Sequence, residues 1–108
     1  MFGAAGVIDG MAAFYPKTVV RLMQLAGKGD FTTETREEMQ RLQFVVSRAE
    51  EFVVRYGIAG IKEAVYKVAG FGDLESARLP LKGRLPDGEF EKAKRLFLEG
   101  IEKTEKSL

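Results

Sequence analysis

Between Met39 and Tyr56 the apolar residues Met39, Leu42, Val46, Ala49, Val53 and Tyr56 recur at alternating steps of three and four. Those steps return each side chain to one face of a 3.6-residue helix, so the stretch is predicted to be an amphipathic helix that needs something to pack against. The seam covers about three heptads before Gly57, too short for a free-standing coiled coil and better suited to packing inside a bundle. On the opposite side, Glu37 with Arg41 and Glu51 with Arg55 are spaced i,i+4, acid first, the favoured order on a solvated helix. Gly57 is expected to stop this helix.

Punctuation divides the remainder. Met1 to Phe14 sets Gly3, Gly6 and Gly10 around Val7 and Ile8. It is expected to form one short buried strand between turns, and a lone strand needs a neighbour. Pro16 suits the first position of a helix, where its fixed φ helps and its missing N–H is not needed. Val19, Val20, Met23 and Ala26, or Leu22 and Leu25 beside them, give that helix its apolar stripe, and Gly27 to Gly29 end it. Asp30 to Thr33 offers N-caps, and Thr35 with Glu38 a capping box for a later start. A further helix is expected from about Ala59 to Ala69, with Ile61, Ala64, Val65 and Val68 inward, broken by Gly70-Phe71-Gly72. Pro80 and Pro86 favour extended chain from Asp73 to Pro86. Asp87 is expected to cap a last helix lined by Phe90, Ala93, Phe97 and Ile101, whose mixed charges mark a solvated outer face. The expected fold is therefore mainly α, about four helices plus one short N-terminal strand.

Composition removes several function classes. The chain of 108 residues suits one modest core, and its formal net charge of +1 gives no electrostatic case for nucleic acid or an anionic membrane. It has no cysteine, which excludes disulfides and thiolate zinc sites, and no histidine, which excludes Ser-His and Cys-His nucleophile pairs. No apolar run approaches the roughly 20 residues of a membrane span. The start, MFGAAGVIDGMAAF, lacks a basic flank and is broken by glycines and Asp9, so a signal peptide is not expected. The expectation is a cytoplasmic protein (mitochondrial as the alternative) with no metal or cofactor.

The order of motifs resembles the C-terminal region of the dihydrodipicolinate synthase and N-acetylneuraminate lyase family of pyruvate-dependent class I aldolases. Gly3-Ala4-Ala5-Gly6-Val7-Ile8-Asp9-Gly10, then Pro16 and Arg21-Leu22, is similar to that family's eighth barrel strand and following helix. Gly29-Asp30-Phe31 with Gln40-Arg41-Leu42, and Gly57 to Ala64 with Gly70 and Arg78-Leu79-Pro80-Leu81, resemble its later helices. Phe14-Tyr15-Pro16-Lys17 and Lys82-Gly83-Arg84-Leu85-Pro86 look most like the eukaryotic branch of L-threo-3-deoxy-hexulosonate and 4-hydroxy-2-oxoglutarate aldolases. A complete (β/α)8 barrel takes about 250 residues, so the resemblance implies the end of one. Residues 1–29 would be its last strand–helix unit and 30–108 a C-terminal helical extension, with Met1 an internal methionine, a truncated start or an authentic one. The implied function is part of a Schiff-base aldolase, a carbon–carbon lyase cleaving a 2-keto-3-deoxy acid to pyruvate and an aldehyde. The intact enzyme would be a homo-oligomer, and this chain would be inactive alone. The alternatives are a stand-alone helical interaction or oligomerisation module, and a fragment of a dihydrodipicolinate-synthase-like condensing enzyme.

In that family a strand-borne lysine in a Gly-Ile-Lys-like context forms the Schiff base, which makes Lys62 in Gly60-Ile61-Lys62 a candidate. A nucleophilic lysine must lose its proton, which calls for burial or neighbouring positive charge. Lys62 instead opens a helical pattern, Glu63 is a helical neighbour of Lys67 expected in solvent, and Lys62 follows the eighth-strand motif where the family's lysine precedes it. No catalytic residue is carried over: the family's lysine and tyrosine are expected upstream of Met1, and Tyr15, Tyr56 and Tyr66 are expected to be half-buried amphipathic side chains. Gly3 and Gly6 are candidates for holding an anion by backbone N–H groups, or simply for a tight strand entry. Arg78, Lys82 and Arg84 form a small basic cluster suited to helix carbonyls or nearby acids. Asp9, Glu50 and Glu51 have no recognisable acid–base spacing.

Overall fold

Asp9 starts the helical path: its carboxylate accepts the Met11 N–H at 2.8 Å and closes a 3-10 turn, Gly10–Ala13. The structure, a computed structural model, describes residues 3–29, 31–74, 78–81 and 83–108. The expected N-cap Asp30, the cluster member Lys82 and Met1 lie outside them. After the turn, Pro16 opens helix α1, Pro16–Gly27. Tyr15, at its N-cap position, makes no side-chain capping bond. A residue from the far end of the chain does so: Glu105 accepts the Lys17 N–H at 2.9 Å, the Thr18 N–H at 2.8 Å and the Thr18 hydroxyl at 2.7 Å. A carboxylate on the open N–H groups of a first turn is favoured by hydrogen bonding and by the helix dipole.

Helix α2, Thr33–Ala64, is the spine. Thr32 caps it by accepting the Thr35 N–H at 3.2 Å. Gly57 does not stop it but kinks it, at φ 59° and ψ −150°, a conformation that side-chain-bearing residues avoid. The helix then runs on through a wider π turn, Val65–Ala69, and ends at Gly70. The two helices expected on either side of Gly57 are thus one bent rod. The C-terminal helix, α3, is built from an α segment Glu89–Ala93, a π turn Lys94–Leu98 and a second α segment Glu99–Ser107. Gly88, not Asp87, is its N-cap; Asp87 pairs with Arg84 at 3.4 Å.

The expected strand is not present. Among the described residues there are no strands, and Val7 (62 % exposed) and Ile8 (108 % exposed) lie in unpaired chain. The reason is the one the pattern carried: a strand's backbone groups need a partner, and the described chain offers none. Among the described residues, three helices and no strand replace the expected four and one. α1 and α3 both pack on α2, and a 32-residue spine draws the molecule out to 45 × 26 × 22 Å.

Packing centres on Phe52, fully buried on α2. Its ring meets Phe14 of the entry turn at 6.2 Å, Tyr56 of its own helix at 5.1 Å and Phe90 of α3 at 5.9 Å. The T-shaped and tilted contacts are the arrangements that aromatic quadrupoles favour. Met11, Leu25, Leu42, Ala49, Leu98 and Ile101 complete the interior. Most of the expected stripe is inward, with Leu42, Val46 and Ala49 buried, but Val53 is only half-buried and its neighbour Phe52 takes the centre. In α3 the π turn inserts one residue into the register, so Leu98 goes inward and Phe97 to the edge. In α1 the buried set is Val19 and Leu25 with Leu22 beside them, whereas Val20 is 51 % exposed. Replacing Phe52→Ala should cost about 3–5 kcal/mol of unfolding free energy in urea. A loss below about 1 kcal/mol, the size expected at a surface position, would show that the core is not centred there.

Candidate functional site

The functional question starts from charge. Glu63, expected in solvent, is 2 % exposed. One oxygen accepts the Leu85 N–H at 2.9 Å and the other lies 3.2 Å from Lys67 Nζ. Lys67 in turn reaches Glu91 at 2.9 Å and lies 4.7 Å from the centre of the Phe90 ring. The earlier expectation fails because Glu63 sits on the side of α2 that the chain around Leu85 covers, where a carboxylate persists only if its oxygens are bonded. Burial works against the Lys67 charge, but its bonds to Glu91 and Glu63 outweigh that and raise its pKa. That direction is wrong for a nucleophile. The cluster ties the segment before α3 to α2.

A second group lies within α3. Glu102 lies 3.4 Å from Lys94 and 3.2 Å from Lys106. Burial opposes its ionised form, yet the two ammonium groups hold its pKa below the ordinary value. Tyr15, expected half-buried, is 1 % exposed, and its hydroxyl has no hydrogen-bond partner among the described residues. Burial first, then the charges of Glu102 and Glu105, push its pKa far up. Tyr56 donates to Glu89 at 2.6 Å, and Tyr66 is exposed.

Lys62 is exposed on α2, beside a shallow groove of about 250 Å³ lined also by Ile61, Val65, Phe71 and Gly72. Among the described residues it has no ion pair. Gly3 and Gly6 are exposed, line no part of that groove, and have open space where a side chain would go. Arg78 is exposed, and Arg84 pairs with a nearby acid, Asp87.

What the fold does assemble is a face. Beneath Val7 and Ile8 runs a groove of about 260 Å³ floored by Val19, Leu22, Met23 and Val46, with Asp9 and Glu50 at its sides. Burial and the Asp9 charge raise the Glu50 pKa. Glu50 and Asp9 thus share an environment that their sequence separation concealed. Apolar floor, carboxylate edge and an unpaired extended segment suit binding of another polypeptide more than catalysis.

No protein-family model matches the chain, and no solved structure matches it. Two curated proteins do. It is 36 % identical over 70 residues to a probable mitochondrial 4-hydroxy-2-oxoglutarate aldolase of Emericella nidulans, a match covering 65 % of this chain and 21 % of that protein. It is 34 % identical over 80 residues to an L-threo-3-deoxy-hexylosonate aldolase of Hypocrea jecorina, covering 74 % of this chain and 23 % of that one.

This chain is related to those aldolases. It spans between a fifth and a quarter of their length. The resemblance read from its motif order is borne out at the level of that branch.

The same charges set the pH dependence of this aldolase-related chain. Glu38, which accepts Arg21 of α1 at 2.8 and 3.0 Å, has a lowered pKa, as do Glu91 and Glu102, so their contribution is complete above the ordinary carboxylate value of about 4.3 and is lost as the pH falls below it. Tyr15 and Lys67 have raised values, so theirs is complete below about 10 and is lost as the pH rises above it. Tyr15→Phe removes a buried hydroxyl that has no partner, so at pH 7 it should be neutral or stabilising, and it should flatten the alkaline limb of a thermal-melt profile. A marked loss of melting temperature at pH 7 would mean that the hydroxyl is bonded.

Proposed function

We propose that the chain is the C-terminal part of a Schiff-base aldolase, a carbon–carbon lyase that cleaves a 2-keto-3-deoxy acid to pyruvate and an aldehyde. Residues 1–29 would contribute the last strand and helix of a (β/α)8 barrel, and residues 30–108 a helical extension packed against it. The observation that carries this reading is the sequence shared with two aldolases over about two-thirds to three-quarters of the chain. The exposed Val7 and Ile8 support it, because they have the composition of a barrel strand and none of its neighbours. In the intact enzyme the Schiff-base lysine would belong to the barrel, no cofactor or metal would be needed, and the assembly would be a homo-oligomer. The substrate-reading residues would also lie on the barrel, which leaves a condensing enzyme of the dihydrodipicolinate synthase type as a variant. The mitochondrial label of the Emericella relative makes a mitochondrial setting the one to examine first, with the cytoplasm as the alternative.

The role of these residues would be support. Glu105 fixes α1 against α3, Phe52 fixes the turn before α1 against α2, and together they would position the strand that precedes them. Without the covalent electron sink, no enamine forms and the chain alone does not turn over substrate. Two measurements test this. Incubated with pyruvate and borohydride, the chain should keep its mass; a reduced adduct on Lys62 would overturn the assignment of the lysine elsewhere. Mixed with the Emericella aldolase lacking its matched segment, the chain should co-elute with it and restore pyruvate release. Failure to co-elute would contradict the supporting role.

A further inference from the structure

The outer side of α2 carries a second periodic set that the fold leaves unused. Glu37, Arg41, Phe44, Arg48, Glu51 and Arg55 follow at steps of four and three, and all six are exposed. At ~1.5 Å per residue they form a seam about 27 Å long. At its middle Phe44 is 71 % exposed beside a groove of about 240 Å³ lined by Val45, Arg48, Arg95, Leu96 and Phe97. Leu96, 45 % exposed, adds a second uncovered apolar side chain. The guanidinium groups of Arg48 and Arg55 lie 5.9 and 5.1 Å from the centre of the Phe97 ring, which restrains them on this face. Glu37 and Glu51 hold no ion pair among the described residues.

The order of the seam is acid, base, Phe, base, acid, base. Laid parallel on a copy of itself it puts like charges together at every level but that of Phe44. Laid antiparallel it puts none together. Glu37 meets Arg55, Arg41 meets Glu51 and Phe44 meets Arg48, each pair occurring twice about a two-fold axis level with Val46.

We propose that this seam docks against the same seam of a second copy of the chain, antiparallel. The spacing is that of an antiparallel coiled-coil layer, and the contact is isologous as a two-fold dimer requires. Phe44 of each copy enters the groove of the other beside Leu96 and Arg48, giving an apolar centre, and the Glu–Arg pairs form the charged rim. The surface is distinct from the groove beneath Val7 and Ile8, and the proposal rests on no assumption about aldolase chemistry.

Sedimentation equilibrium tests it on four forms of the chain: wild type, Arg41→Glu, Glu51→Arg and the double variant. The wild type should be a dimer that weakens with salt. Each single reversal sets like charges against one another twice and should raise the dissociation constant at least about tenfold. The double variant should return it to the wild-type value. Arg41 and Glu51 are about 15 Å apart along the helix, so such a rescue arises only between copies. Helical circular dichroism identifies any variant that unfolds, and Glu37→Arg with Arg55→Glu repeats the test if one does. A wild type that stays monomeric at submillimolar concentration, or a double variant no tighter than the singles, overturns the proposal.

Discussion

One aromatic ring holds together segments that the sequence keeps far apart. Phe52 touches the entry turn through Phe14 and the last helix through Phe90, so burial of a single side chain depends on both ends of the chain. Two carboxylates extend that closure. Glu105 on α3 caps the first turn of α1, and Glu63 on α2 holds the backbone at Leu85 just before α3. At Thr18 and Leu85, both buried, the polar bond serves an N–H group that burial would otherwise leave unsatisfied. The helices are local; their arrangement is not.

That distinction explains what could be read in advance. Helical character follows from periodicity, as do the buried positions Leu42, Val46, Ala49, Phe90, Ala93 and Ile101, but the division into rods does not, because Gly57 bends a helix it was expected to end. Glycine was harder to read. Gly57 and Gly70 both have positive φ, yet one bends a helix and the other ends it, because only after Gly70 does the chain leave α2. The π turn at Lys94–Leu98 moved Leu98 inward, a one-residue shift that a stripe drawn at even steps does not contain. Glu63 and Glu105 were illegible for a simpler reason: nothing local marks a carboxylate that will meet a backbone N–H more than twenty residues away.

The candidate site followed the same rule. Composition had already excluded histidine and cysteine chemistry, and Lys62 lies in an open groove. Sequence also isolated Val7 and Ile8 as a segment in want of a neighbour, and they remain exposed. The shared setting of Asp9 and Glu50 emerged only once α2 and the N-terminal segment were brought side by side. Described from the core outwards, the chain is a closed helical unit with an open N-terminal side, related in sequence to aldolases several times its length.

The central claim is that the helices close on themselves while the segment before them waits for something else. Amide hydrogen exchange, resolved by residue, measures this most directly. Slow exchange should concentrate in α2 around Leu42 to Phe52 and in α3 around Ala93 to Ile101, while the amides from Ala4 to Ile8 exchange as in free peptide. Protection at Val7 and Ile8 equal to that of α2 would mean that the strand is already paired within the chain, and the account of an open side would be wrong.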